Sequence, residues 1–139
     1  MAYTTIEISV ADGVAVLWLN RPEVRNAFNE TMIAELTAAF GELDADPGVR
    51  VVALAGRGKV FCAGAALTWM KRMGEMNFDE NRRDALVFGT MLNRLHAMKK
   101  PTLARVHGAA FAGAMGLIAA CDIRSEERRV GKECRSRWS

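Results

Sequence analysis

The sequence predicts an α/β domain on a largely parallel sheet, with ligand loops at the carboxyl ends of neighbouring strands. Three observations carry this. Strand-like runs alternate with helical ones along most of the chain. The first two strand-like runs, Ile6 to Val10 and Val14 to Leu19, are joined by Ala11-Asp12-Gly13 and read as a β-hairpin. Two stretches of small residues, Phe61 to Leu67 and His107 to Gly116, each fall where a strand should end and a helix begin.

Each element has a local reason. After the hairpin, Asn20 to Asn26 is a polar loop carrying Pro22, and Asn29 is placed to cap a helix. Met32, Ile33, Leu36, Phe40 and Leu43 share one face of it, and Asp46-Pro47-Gly48 should end it. Val51 to Ala55 reads as a buried strand feeding the first small-residue loop, with a short helix from about Ala65 to Met73. Asp79 to Met98 is predicted helical, with Leu86, Met91, Leu92, Leu95 and Met98 at helical spacing. Lys99 and Lys100 suit the negative end of its dipole, and Pro101 stops it. Thr102 to Val106 is a further strand, Ala114 to Cys121 a small-residue helix, and Asp122-Ile123 the opening of another strand.

The two small-residue loops outline a chemistry. Backbone N–H groups at a strand-to-helix junction lack intrahelical acceptors, so two of them aimed at one point can hold a negatively charged oxygen. Small side chains let a substrate oxygen come close enough to the backbone to be bonded.

Composition narrows the class. Half of the 139 residues are hydrophobic, as in one ordinary soluble domain, and no apolar run approaches the roughly 20 residues that span a bilayer. The N-terminus lacks a basic segment followed by an apolar one, so the expected location is cytoplasmic. Cys62, Cys121 and Cys134 are neither paired by spacing nor grouped with histidines, which points to no disulfide framework and no metal site. The formal charge of +3 comes from residues 124–139, with six Arg or Lys against three Glu. Residues 1–123 carry 13 basic and 13 acidic residues, a balance that argues against nucleic acid as a partner.

Residues 124–139 break the preceding pattern, with nine charged residues in sixteen. Arg124 to Cys134 resembles, codon by codon, the translation of a sequencing-library adapter. The expected organisation is therefore a native segment over 1–123 and a non-native, disordered tail over 124–139.

The native segment resembles the enoyl-CoA hydratase/isomerase, or crotonase, family. The resemblance rests on Asn20-Arg21-Pro22 through Asn26-Ala27-Phe28, Phe61 to Leu67, Lys100-Pro101, His107-Gly108 and Ala120-Cys121-Asp122-Ile123, in the family's order and spacing over residues 3–123. Phe61 to Ala65 with Leu67, Trp69 to Met73, Gly108 to Phe111 and Gly116-Leu117 look most like the methylglutaconyl-CoA hydratases of leucine and branched-terpenoid breakdown.

The resemblance implies a crotonase-like (ClpP/crotonase) fold of repeated ββα units, of which this chain is the N-terminal half of the spiral core. It implies an acyl-CoA thioester substrate whose carbonyl oxygen is held by the N–H groups of Ala65 and Gly113, with no cofactor beyond the CoA of the substrate. The CoA arm is expected along Arg25, Ala63, Gly64, Ala65, Ala66 and Leu67, and the full-length protein is expected as a trimer or hexamer. Ala66 stands where the family usually has Asp, and Ala112 where it has a second Gly. Gly116 occupies a position that is a catalytic Glu in many hydratases of the family, and the other acid/base Glu falls some twenty residues past Asp122.

Water addition needs a carboxylate. Glu75, Asp79, Glu80 and Asp84 read as solvated helix charge and Asp122 as structural. His107 is expected to bond a neighbouring backbone group rather than act as a base, and Cys62 to be a buried small residue. Met70, Met73 and Met76 beside Trp69 are expected to line or cover an acyl pocket. The expected reaction is hydration of 3-methylglutaconyl-CoA by the full-length protein, this chain being inactive alone. The alternatives are another hydratase or isomerase of the family, or a non-catalytic CoA-thioester or RNA-binding protein.

Overall fold

The structure, a computed structural model, describes residues 3–65, 71, 74, 75, 77–111 and 113–126. Five strands form one sheet in the order β1-β2-β3-β4-β5: β1 (Ile6–Ala11), β2 (Val14–Leu19), β3 (Val51–Gly56), β4 (Thr102–Val106) and β5 (Ile123–Glu126). The β1–β2 pair is antiparallel and every other pair is parallel. The hairpin closes with Ala11 opposite Val14. Asp12 and Gly13 are both at positive φ, 54° and 80°, the turn whose twist matches that of the strands.

The α-helices that lie wholly within the described residues are α1 (Glu30–Ala45), α2 (Phe78–His96) and α3 (Gly113–Ala120). Asn29 caps α1 as expected, its side chain accepting from the Met32 amide at 2.9 Å. Met32, Ile33, Leu36, Phe40 and Leu43 are all buried, joined by Ala39, and pack with Leu17, Leu19, Val52 and Leu54 of the sheet in one core. α1 contacts α2, and α2 contacts α3.

Several expectations need correction. α2 starts at Phe78 because Asn77 and Glu80 form a reciprocal capping box, a signal the sequence reading passed over. Its buried residues are Met91 and Leu95, whereas Leu86 is 55% exposed. At about 100° per residue Leu86 lies about 140° around the helix from Met91, so the two cannot share a face. α2 ends at His96, so Lys99 and Lys100 lie beyond its last turn. Lys100 Nζ instead donates to the carbonyls of Leu43, at 2.7 Å, and Asp46 at the end of α1, where the free carbonyls attract a cation.

β5 runs through Glu126, so the strand continues three residues into the segment expected to be disordered. Its pairing is main-chain, with Ala104 opposite Arg124, Arg105 opposite Ser125 and Val106 opposite Glu126. Polar side chains are compatible with that pairing on exposed strand positions, and Arg124 and Ser125 are exposed. The helix expected over Ala65 to Met73 lies largely outside the described residues. Among the described residues no helix is long and apolar enough to cross a membrane.

Candidate active site

The loop that leaves β3 is held by a short segment that follows β2. Asn26, wholly buried and at φ 57°, is its anchor. Its Oδ1 accepts from the Arg21 amide at 2.7 Å, and its Nδ2 lies 2.8 Å from the Arg57 carbonyl and 3.1 Å from those of Val60 and Phe61. One side chain thus satisfies backbone groups on both loops at once. The neighbouring main chain continues the clamp. The Ala63 amide donates to the Arg25 carbonyl at 2.9 Å, and the Phe28 amide to the Gly64 carbonyl at 2.7 Å.

The second of these bonds sets the direction of the Ala65 amide. In a trans peptide the C=O of one residue and the N–H of the next point opposite ways, and the described chain has no cis bond. With the Gly64 carbonyl turned onto Phe28, the Ala65 N–H faces the other side. Two residues before Gly64, Cys62 pairs with the chain entering α3: Cys62 N–H bonds Ala109 O at 3.3 Å and Phe111 N–H bonds Cys62 O at 3.2 Å. Gly64 sits at φ 92°, a conformation glycine takes without strain and other residues resist.

Gly113 is the first residue of α3, where an N–H has no intrahelical acceptor. A β-carbon built there would lie 3.1 Å from Phe88 Cζ and 3.2 Å from Phe28 Cε2, so the helix start rests directly on two aromatic rings. Among the described residues no acceptor is bonded to the Ala65 amide. Such amides can take up an oxygen that gains negative charge.

The fold therefore brings Arg25, Ala63, Gly64 and Ala65 together by hydrogen bonds, and Gly113 to the same neighbourhood through Phe28. Arg25 itself is exposed at φ 55°, its side chain on the surface. Ala66, Leu67, Trp69, Met70, Met73, Met76 and Ala112 lie outside the described residues. At Gly116 a β-carbon would meet Leu92 Cδ1 of α2 at 3.0 Å, so the absent side chain leaves room for that leucine.

The remaining candidates have structural roles. His107 Nε2 donates to the Gly58 carbonyl at 2.8 Å, as expected for a loop-bracing histidine. Cys62 is fully buried; its thiol donates to the Asn26 carbonyl at 3.1 Å and accepts from the Gly64 amide at 3.4 Å. Burial pushes the thiol up to about 11, against the lowering bond from Gly64, so it is a brace rather than a nucleophile. Asp122 accepts from the Thr102 amide at 2.9 Å and its own amide bonds Thr102 Oγ1 at 2.9 Å, stitching α3 to β4. Glu80 serves the α2 cap and Glu75 and Asp79 are exposed, but Asp84, expected to be solvated, is half-buried with its Oδ2 shielded from solvent. No group of three or more metal-ligating side chains occurs among the described residues.

Asn26 and Phe28 were legible only as parts of a motif. Their roles depend on partners more than thirty residues away, which no local pattern marks.

A sheet that is parallel but for its first pair, with helices packed beside it, defines an α/β protein. Residues 9–129 match the family model of the enoyl-CoA hydratases/isomerases, and the chain belongs to that family. It is 46% identical over 120 residues to a Thermus thermophilus protein whose name also reads enoyl-CoA hydratase, covering 85% of this chain and 47% of the relative. The short-chain-enoyl-CoA hydratase of Clostridium acetobutylicum is 38% identical over 122 residues, 86% of this chain and 46% of its own length. A crystal structure of an enoyl-CoA hydratase from Shewanella pealeana superposes with a TM-score of 0.87 at 35% identity, covering 88% of this chain and 46% of the other. The fold is thus crotonase-like, and the chain spans about half the length of the curated relatives it matches.

Proposed function

We propose that the full-length protein hydrates a branched enoyl-CoA, 3-methylglutaconyl-CoA, in the cytoplasm and as a trimer or hexamer, with no cofactor beyond the CoA of its substrate. The amides of Ala65 and Gly113 hold the thioester oxygen as it takes on enolate charge. Arg25, Ala63, Gly64, Ala66 and Leu67 flank the CoA arm. The observation that supports this reading is the Phe28-to-Gly64 bond, which by peptide planarity turns the Ala65 N–H away from Phe28. Losing one such donor typically costs about 3–4 kcal/mol of barrier lowering, which makes the pair the largest catalytic asset of this half.

The acid/base carboxylate is assigned to none of Glu75, Asp79, Glu80, Asp84 or Asp122. It belongs to the length that the relatives have and this chain does not span. The 139-residue chain accordingly polarises a thioester without adding water to it, since proton transfer contributes about 100- to 10,000-fold.

An isomerase of the same family is the second reading. It is favoured by 32% identity over 135 residues to a peroxisomal Δ(3,5)-Δ(2,4)-dienoyl-CoA isomerase of Arabidopsis thaliana. Turnover of 3-methylglutaconyl-CoA, crotonyl-CoA and a 3,5-dienoyl-CoA should be compared for this chain and for a chain extended to the relatives' length. Preferential hydration of the branched substrate by the extended chain alone is the expected result. Equal rates per mole for the two chains would remove the assignment of the carboxylate, and preferential dienoyl isomerisation would replace the reaction.

A further inference from the structure

We propose that Phe28 is the positioning residue that couples the two amides of the site, an inference that rests on the reading of Ala65 and Gly113 given above. Its main chain and its side chain act on different arms. The Phe28 N–H holds the Gly64 carbonyl at 2.7 Å and Phe28 pairs with Ala65 in an isolated parallel bridge, which fixes the plane of the peptide that carries the Ala65 amide. The Phe28 ring, 1% exposed, lies against Gly113, with Cε2 and Cδ2 at 3.2 and 3.4 Å from the place of a β-carbon.

Phe88 of α2 closes the arrangement. Its ring meets that of Phe28 edge to face, with centroids 5.4 Å apart and planes at 74°, and its Cζ is the other atom against Gly113. The edge-to-face contact fixes the tilt of the Phe28 ring, and that tilt sets how far the first turn of α3 sits from the loop after β3. A glycine at 113 lets the helix start settle onto the two ring edges. Close-packed interiors transmit small displacements, so a change in the Phe28 ring reaches an amide 85 positions on while its backbone bond reaches one 37 positions on.

This role is separable from ordinary core packing. Phe40 in α1 is equally buried, at 0% exposure, and belongs to the same core, but it carries neither the bond to Gly64 nor the ring contact at Gly113. Replacing Phe28 by Leu and, separately, Phe40 by Leu should cost comparable stability and differ at the site.

The test uses the full 139-residue chain, 15N-labelled, with Phe28→Leu, Phe88→Leu and Phe40→Leu. In amide correlation spectra Phe28→Leu is expected to move both the Ala65 and Gly113 signals, Phe88→Leu the Gly113 signal, and Phe40→Leu neither. The second readout is a chromophoric aryl-enoyl-CoA thioester, whose absorption moves to the red when its carbonyl is hydrogen-bonded. Phe28→Leu is expected to lower that shift by about half while Phe40→Leu retains it.

Unmoved Ala65 and Gly113 signals in folded Phe28→Leu overturn the coupling, whatever the thioester does. If Phe28→Leu does not fold, an unmoved Gly113 signal in Phe88→Leu overturns it instead. If the signals move as expected but the unaltered chain gives no red shift, the coupling stands and the oxyanion reading falls.

Discussion

The side-chain amide of Asn26 donates to the Phe61 carbonyl at 3.1 Å across 35 positions of sequence, and this buried bond joins the loop after β2 to the loop after β3. The same stretch is held further along by the Ala63 amide on the Arg25 carbonyl and the Phe28 amide on the Gly64 carbonyl. Asn26 also holds the Arg57 and Val60 carbonyls and the Arg21 amide, so one side chain serves four backbone groups of two loops.

Asn26→Ala is expected to destabilise the fold by about 3 kcal/mol, because each buried carbonyl left without a donor costs about 1–3 kcal/mol. Asn26→Asp should fare no better, since a carboxylate has no N–H to give. Urea midpoints of the two variants measure this, and an aspartate variant as stable as the parent would show that the donated bonds are not what matters.

Gly64→Ala places a β-carbon on a residue held at φ 92°. The strain is expected at about 1–3 kcal/mol, and relief by rotation of the 64–65 peptide would turn the Ala65 amide away. Both a lower melting temperature and loss of the red shift of a bound chromophoric thioester should appear. A variant that keeps the full spectral shift speaks against the assigned direction of that amide.

Cys62 should alkylate slowly in the folded chain. With the thiol raised by burial from 9.0 to about 11, its thiolate fraction at pH 8 drops about 100-fold, and reactivity follows the thiolate. Residue-resolved mass spectrometry after brief iodoacetamide treatment, with and without urea, gives the ratio. Comparable labelling in both conditions would show Cys62 to be open to solvent and ionised.

Glu35 carries a pH dependence on the acid side. Burial raises its carboxyl, but bonds from the Thr5 hydroxyl and the Thr4 and Thr5 amides outweigh this and leave it below 4.5. A carboxylate lowered on folding stabilises above its unfolded value and loses that contribution as pH falls through the folded one. The parent should therefore exceed Glu35→Gln in stability at pH 7 and lose that advantage below about pH 4.5, the unfolded value. Parallel thermal melts from pH 3 to 7 read the difference, and a constant gap across that range contradicts the role given to the charge.

What the sequence determined by itself is whatever short-range physics controls. Asp12-Gly13 dictates the hairpin through its own backbone preferences, and Asn29 caps α1 through a bond to Met32 three residues away. The buried face of α1 follows from spacing alone, and the five motifs in register were enough to indicate the family. The tertiary structure decided what depends on distant partners. Lys100 sits past the end of α2 yet closes α1, because the loose carbonyls of Leu43 and Asp46 lie beside it only in the folded chain. Arg124 to Glu126 take up strand pairing because β4 offers a row of open backbone bonds, and a backbone ladder asks little of the side chains. The direction of the Ala65 amide is likewise not written in Phe61 to Ala65. It is imposed by a hydrogen bond from Phe28, 36 positions from the carbonyl of Gly64, and peptide planarity passes that constraint on to the next N–H.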